Sequence, residues 1–193
     1  YGLASDASNA SAVAKIFKAK GRPSNHPLIV HVASADAVKK FASDVPVFAQ
    51  ALMAQFWPGP LTLLLQRSEN VLMSVTGGRD SVAVRIPDNA FTRQLIINLG
   101  SPIAAPSANR FGKVSPTTAQ HVCDDLQNDV DLIVDDGASS IGVESTIVDF
   151  TVSPPQLLRH GGIPIEDIEK ILGYSIQGTD GVSRASGMLQ HHY

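Results

Sequence analysis

The chain has 193 residues, with 15 Lys plus Arg against 18 Asp plus Glu and 44% hydrophobic residues. These values suit one globular domain with an ordinary apolar core, and they exclude a disordered or fibrous chain. The net charge of -3 gives no overall positive field, so an anion site would need a local cluster of cations. A single cysteine, Cys123, and the lack of any apolar run near about 18 residues predict a cytoplasmic protein with no membrane association.

Apolar runs bounded by turn residues alternate with helical patterns along the chain, which predicts an α/β fold. The predicted strands are Leu28–Val32, Leu61–Gln66, Ser81–Ile86, Pro102–Ala105, Leu132–Val134, Thr146–Phe150 and Gln156–Arg159. Helices are predicted to start near Ser8, Ser34, Pro46, Asn89, Ser115 and Ile165. The start at Ser115-Pro116 has the clearest signal, because a hydroxyl can cap the first turn and proline there loses no hydrogen bond.

A basic turn joins the first predicted helix to an apolar strand. Lys20, Gly21 and Arg22 end the helix, and the strand that follows carries His31. Basic residues in a last turn complement the helix dipole, and glycine suits the helix end, so the pattern fits an ordinary helix terminus. A loop with lysine as a point charge and arginine as a fork also suits binding of phosphate or carboxylate.

Small polar residues follow the predicted strand at Ala105. Ser107 and Asn109 suit an ordinary turn. They also suit a ligand site, because ligands of open α/β sheets bind beyond the carboxyl ends of strands, and a helix starting at Ser115 would offer free amides to a phosphate.

Two arginines lie in or beside predicted strands. Strict alternation places Arg85 on the same face as Ser81 and Ala83, where it closes an ion pair or awaits an anionic ligand. The strands beginning at Thr146 and Gln156 read as a hairpin, with the Ser145 hydroxyl and the Arg159 cation near their ends. No phosphate-binding P-loop, Gly-x-Gly-x-x-Gly, His-Glu-x-x-His or paired Cys-x-x-Cys motif is present, so no metal ligands are predicted.

Taken in chain order, seven segments closely resemble motifs of the YrdC/TsaC family. They are Tyr1-Gly2-Leu3, Lys20-Gly21-Arg22-Pro23, Pro27-Leu28-Ile29-Val30-His31, Trp57-Pro58-Gly59-Pro60-Leu61-Thr62, Val82-Ala83-Val84-Arg85-Ile86-Pro87, Ala105-Pro106-Ser107-Ala108-Asn109 and Gly142-Val143-Glu144-Ser145-Thr146. The joint Lys-x-Arg and Ser-x-Asn signature is the specific part. The resemblance implies an open, twisted, mixed β-sheet flanked by helices, with a concave active-site surface.

Members of this family are threonylcarbamoyl-AMP synthases. They make threonylcarbamoyl-adenylate and pyrophosphate from ATP, bicarbonate and L-threonine, the first step toward the N6-threonylcarbamoyl group of tRNAs that read ANN codons. The resemblance therefore implies ATP, with Mg2+ on its phosphates, as the nucleotide substrate. It also implies a downstream tRNA threonylcarbamoyl transferase machinery as a partner, with a weak direct contact to tRNA or double-stranded RNA left open.

The resemblance assigns roles to individual residues. It implies catalytic roles for Lys20 and Arg22. It implies threonine contacts from His31, Arg85, Ala105 and Ser145. It implies ATP contacts from Arg22, His26, Ser81, Ser107, Asn109, Ser115, Arg159 and Tyr193, with His26 standing where the family commonly has Asn.

The domain organisation follows from the same resemblance. Residues 1–173 are expected to form the catalytic domain without its first strand, and residues 174–193 a linker toward an absent C-terminal domain. Two other functions stay open at this point. One is the related carbamoyl-adenylate-forming domain of hydrogenase-maturation proteins, and the other is a module that binds double-stranded RNA or tRNA.

Overall fold

The computed structural model describes residues 1–178. Its strands are β1 (Ser5–Asp6), β2 (Ile29–His31), β3 (Leu61–Gln66), β4 (Ser81–Arg85), β5 (Ile103–Ala104), β6 (Thr146–Asp149) and β7 (Gln156–Arg159). Its α-helices are α1 (Ala10–Lys20), α2 (Val47–Phe56), α3 (Met73–Thr76), α4 (Ala90–Leu99), α5 (Ala119–Leu126) and α6 (Ile165–Leu172). Short 3₁₀ helices span Asp36–Lys40 and Gln127–Asp129.

The strands form one seven-stranded sheet in the order β1-β5-β2-β4-β3-β6-β7. The β2–β4 and β3–β6 pairs are parallel, and the other neighbours are antiparallel. The predicted mixed α/β sheet is therefore confirmed, together with the hairpin that joins β6 to β7.

The two faces of the sheet differ in what covers them. In β3, Leu61, Leu63 and Leu65 belong to the main core with α1, α2 and α6, whereas Leu64 belongs to a smaller apolar cluster with Ala83. Successive side chains of a strand point to opposite faces, so Arg85 shares the face of Ala83 and lies opposite the helices. The alternation expected from the sequence is confirmed, and it turns Arg85 away from the main core.

Helix α1 ends at the basic turn Lys20-Gly21-Arg22, which leads into the sheet. The Asn9 side chain accepts hydrogen bonds from the Ser11 and Ala12 amides and caps the helix start. Gly21 ends the helix with φ +62°, a left-handed conformation that glycine adopts without a Cβ penalty. The chain therefore reverses at Gly21, so that Lys20 belongs to the last turn and Arg22 leads toward β2.

Helix α5 begins at Ala119, so the prediction of a helix start at Ser115 is wrong. The cap is Thr118, whose side chain accepts from the His121 amide. Ser115 is used elsewhere, because its hydroxyl donates to the Glu144 carboxylate at 2.9 Å. The sequence pattern at Ser115 suits a helix cap, but its hydroxyl bonds to Glu144, a residue distant along the chain, instead.

The predicted strand Leu132–Val134 is also wrong. These residues form no strand, and Leu132 is 79% exposed. An apolar run becomes a strand only where a neighbour supplies the ladder hydrogen bonds, and none of the strands of residues 1–178 pairs with it. Conversely, the two-residue β1 was not predicted, and the turn after Ser34 is a 3₁₀ helix rather than an α-helix.

Contacts with the sheet continue past Gly173, the end of α6. Ile176 is buried, and the Leu157 amide of β7 donates to the Gln177 carbonyl at 3.0 Å. The rest of the expected linker, residues 179–193 including Tyr193, lies outside the described residues. Within the described part, no helix is long and apolar enough to cross a membrane.

At Gly161, the segment after β7 packs closely against the backbone just before β6. A Cβ at Gly161 would lie 2.3 Å from the Glu144 carbonyl oxygen and 2.4 Å from the Thr146 nitrogen. We expect Gly161→Ala to lower the free energy of unfolding by about 2 kcal/mol or more, because the backbone must move. Gly142→Ala is the matched control, since a Cβ there meets nothing within 4 Å. Equal urea midpoints for the two variants would contradict this packing.

Candidate functional site

His31 and Arg85 lie side by side at the ends of two parallel strands, where the register pairs their Cα atoms. The Arg85 Nε donates to the Gly59 carbonyl at 2.8 Å, which fixes the guanidinium. His31 is 7% exposed, and burial, together with the Arg85 charge, lowers the pKa of His31 to about 3. The imidazole is therefore neutral near pH 7, and its buried Nδ1 has no hydrogen-bond partner within residues 1–178.

Lys20 joins the two halves of the predicted signature. Its side chain is buried, and Nζ donates to the Ser107 and Asn109 carbonyl oxygens, each at 2.5 Å. The Asn109 amide in turn donates to the Arg110 and Lys113 carbonyls. Burial, followed by the Arg22 charge, lowers the pKa of Lys20 to about 8. The ammonium thus fixes the turn that carries Ser107.

Arg22 contacts an aromatic pair. Its guanidinium donates to the Pro27 carbonyl at 3.0 Å and lies 5.6 Å from the centre of the Phe111 ring. His26 meets the same ring edge-on, with centroids 5.2 Å apart. Burial lowers the pKa of Arg22 to about 10, and burial followed by the Arg22 charge lowers the pKa of His26. Arg22 therefore stays charged, while protonation of His26 is disfavoured.

Arg159 is held from two sides. Its Nε donates to the Ser145 carbonyl and its Nη2 to the Ser145 hydroxyl, both at 2.9 Å. Ser145 is itself fixed by a 2.7 Å hydrogen bond with the Thr62 hydroxyl. Arg159 Nη1 pairs with the Glu144 carboxylate, whose other oxygen accepts from Ser115.

These groups form one electrostatic cluster rather than separate sites. The Arg159 charge lowers the pKa of both Arg22 and Arg85, after the larger effect of burial. The Glu144 carboxylate raises the pKa of Lys20, Arg22 and Arg85. Lys20, Arg22 and Arg85 thus each have a pKa lowered by burial and by a neighbouring cation, and a group of cations of this kind is suited to a polyanion.

The structure brings most of the sequence-predicted residues together. Ser107, Asn109, Ser115 and Ser145 contact members of the cluster directly. Ala105 lies beside β2, with its amide donating to the Ile29 carbonyl. Ser81 begins β4 on the face of Arg85, about 13 Å along the strand from it. Extending the β2–β4 register puts Ser81 level with Pro27, the residue that Arg22 contacts.

Three contributors were not singled out as site residues from the sequence. Phe111 carried no signal beyond an aromatic ring after the Ser-x-Asn turn. Thr62 was visible as a polar residue within an apolar strand, and Glu144 as a carboxylate next to Ser145. A buried hydroxyl or carboxylate that needs a partner is the signal that could have found the last two.

Two other features lie outside this cluster. A groove of about 680 Å³ on the helix-covered side borders Trp57, Met53 and Arg93 and includes none of the predicted site residues. Within residues 1–178 no group of three or more His, Cys, Asp or Glu side chains could hold a metal ion.

Comparison with known proteins gives a family match. The profile of the Sua5/YciO/YrdC family, described as "Telomere recombination", matches residues 1–161. A threonylcarbamoyl-AMP synthase of Pyrococcus abyssi is 47% identical over 100% of this chain and 58% of its own length. The corresponding enzyme of Bacillus subtilis is 48% identical over 90% of this chain and 50% of its own length. The chain thus spans about half the length of these relatives.

Solved structures agree with this match. A structure of P. abyssi Sua5 complexed with L-threonine has a TM-score of 0.93 and 46% identity, covering 97% of this chain and 57% of that protein. Full-length HypF in a phosphate- and nucleotide-bound form has a TM-score of 0.72 at 18% identity, covering 83% of this chain and 25% of that protein. The likeness to HypF concerns the fold alone.

The lowered pKa of Lys20 predicts that the affinity for ATP depends on pH. Because that pKa is about 8, raising the pH from about 7.5 to 9.5 removes most of one positive charge from the cluster. We expect the affinity for ATP, measured by calorimetry, to fall about tenfold across this range. Lys20→Met is the control, because it should bind ATP more weakly with no slope over this range. A wild-type affinity that stays flat would contradict the assignment.

Proposed function

The chain belongs to the Sua5/YciO/YrdC family, and from that premise we propose that it carries the catalytic domain of a threonylcarbamoyl-AMP synthase. Such an enzyme is a nucleotidyltransferase that uses ATP, bicarbonate and L-threonine. The observation that carries the proposal is the Lys20 ammonium bound to the Ser107 and Asn109 carbonyls, which joins both halves of the signature. A neutral His31 beside Arg85 then supplies a second subsite on the same sheet face.

The cations divide between two substrates. We assign the ATP phosphates to Arg22 and Arg159, with the Ser107–Asn109 turn and Ser115 beside them, because the Arg159 charge is close enough to add to the effect of burial and lower the pKa of Arg22. His26 and Phe111, next to Arg22, offer an aromatic surface to the nucleotide. We give Lys20 a positioning role, since its buried ammonium already bonds to the turn.

L-Threonine is assigned to the other end of the cluster. Arg85 would bind its carboxylate, and the unpartnered Nδ1 of His31 would hydrogen-bond the hydroxyl or amine. Ala105 and Ser145 would border the amino acid, because they lie at the edges of β5 and β6 next to β2 and β3. The P. abyssi Sua5 structure that carries L-threonine supports this placement through its overall likeness to the chain.

The proposed reaction requires the enzyme to position the substrates and to stabilise negative charge, and it involves no covalent enzyme intermediate. The threonine amine and bicarbonate form a carbamate with loss of water. A carbamate oxygen attacks the α-phosphorus of ATP, the bond between that phosphorus and the bridging oxygen breaks, and pyrophosphate leaves with the electron pair. The arginines stabilise charge that builds on the phosphoryl oxygens.

Mg2+ is expected to be bound by ATP rather than by a protein site. The described residues contain no cluster of acidic or histidine side chains for it, and Mg2+ commonly uses phosphate oxygens and water as ligands. The family resemblance leads us to expect that a tRNA-modifying transferase in the cytoplasm consumes the adenylate product.

Mass spectrometry of the products tests the reaction. With ATP, bicarbonate and L-threonine, we expect a threonylcarbamoyl-AMP mass that disappears when threonine is omitted. Carbamoyl phosphate in place of threonine and bicarbonate is the control for carbamoyl-adenylate chemistry. ATP consumption only with carbamoyl phosphate would contradict the proposal.

Arg22→Ala tests the site. We expect product formation to fall by about a hundredfold or more, since a buried cation facing the phosphates is lost. Arg93→Ala is the matched control, because that arginine borders the groove outside the cluster and donates to the Pro87 and Asp88 carbonyls. Circular dichroism should show both variants folded. Normal turnover by folded Arg22→Ala would overturn the assignment of this residue.

A further inference from the structure

Glu144 is a carboxylate placed among the cations of the proposed site. Its side chain is 15% exposed, and one of its oxygens pairs with Arg159, which is 10% exposed. The other oxygen accepts the Ser115 hydroxyl at 2.9 Å. Arg159 and Ser115 are both residues to which the family resemblance assigns nucleotide contacts.

The influence of Glu144 extends beyond its direct partners. Its negative charge raises the pKa of Lys20, Arg22 and Arg85, opposing the lowering caused mainly by burial. Mutual repulsion among clustered cations is costly in a partly desolvated site, and one central carboxylate reduces that cost. Glu144 therefore supplies, in the free protein, part of the negative charge that a bound polyphosphate would supply.

Arg159 does not depend on Glu144 for its position. Two hydrogen bonds to Ser145 hold its guanidinium, and the Thr62 hydroxyl holds Ser145. Nη1 of the same guanidinium pairs with the Glu144 carboxylate. The contribution of Glu144 is thus charge rather than geometry.

We propose that Glu144 is a resident counter-anion, which pairs with Arg159 and Ser115 and is displaced from Arg159 by a nucleotide phosphate. This inference rests on the proposed function for the identity of the nucleotide, but the exchange itself concerns any polyphosphate. Glu144 therefore acts through its charge on Arg159 and sets how tightly the site binds phosphate.

The test measures binding without turnover. Inorganic tripolyphosphate and ATP are titrated into wild-type protein and Glu144→Gln by calorimetry at one fixed salt concentration. The amide keeps the shape of the side chain but removes the competing charge, so we expect both ligands to bind about tenfold more tightly. The free variant should also melt at a lower temperature than the wild type, and tripolyphosphate should raise its melting temperature by more.

Asp88→Asn is the matched control. Asp88 also raises the pKa of Arg85, but it pairs with Arg93 at an exposed position. We expect its affinity for tripolyphosphate to change less than about twofold, as is usual for an exposed pair. An equal gain in both variants would show a general charge effect and would overturn the specific role of Glu144.

Unchanged or weaker binding of tripolyphosphate by Glu144→Gln would also overturn the proposal. If that variant does not fold, Glu144→Asp serves instead, because it keeps the charge and shortens the reach to Arg159. A smaller gain in affinity is then expected, and no gain contradicts the exchange. Because neither titration needs threonine or product, the result stands apart from success or failure of the synthase assay.

Discussion

The cost of gathering Lys20, Arg22, Arg85 and Arg159 in one partly buried cluster is the constraint on which the rest of this site depends. Burial lowers the pKa values of Lys20, Arg22 and Arg85, and a neighbouring arginine lowers each of them further. The protein offsets the cost with carbonyl oxygens around Lys20 and Arg85, and with the Glu144 carboxylate against Arg159. The result is a local group of cations within a chain whose net charge is -3, and the proposed binding of polyanionic ligands rests on it.

Short local features of the backbone bring these charged side chains together. Alternation along β4 turns Arg85 away from the helix-packed core, and the left-handed Gly21 ends α1 so that Lys20 and Arg22 leave in different directions. A register shift between β6 and β7 precedes Arg159, and Gly161 lets the following segment lie against Glu144 and Thr146. Each of these features contributes to the packing of the sheet and also places one cation or the partner of a cation.

Local signals predicted much of this architecture from the sequence. The bounds of β3 and β7 were predicted correctly, because continuous apolar runs there lie between clear turn residues. Ser115 shows why other predictions were wrong, since its hydroxyl bonds a carboxylate distant along the chain instead of capping a helix. The role of Glu144 likewise depends on Arg159 in the next strand, a contact that no local pattern encodes. The family resemblance assigned site residues beyond what spacing alone supported, and it left Thr62 and Phe111 unassigned.

A crystal structure of the chain with a non-hydrolysable ATP analogue and L-threonine would test the central claim most directly. We expect phosphate oxygens against Arg22 and Arg159, threonine against His31 and Arg85, and Glu144 separated from Arg159. A nucleotide bound instead in the groove beside Trp57 and Arg93, with the cation cluster unchanged, would contradict it.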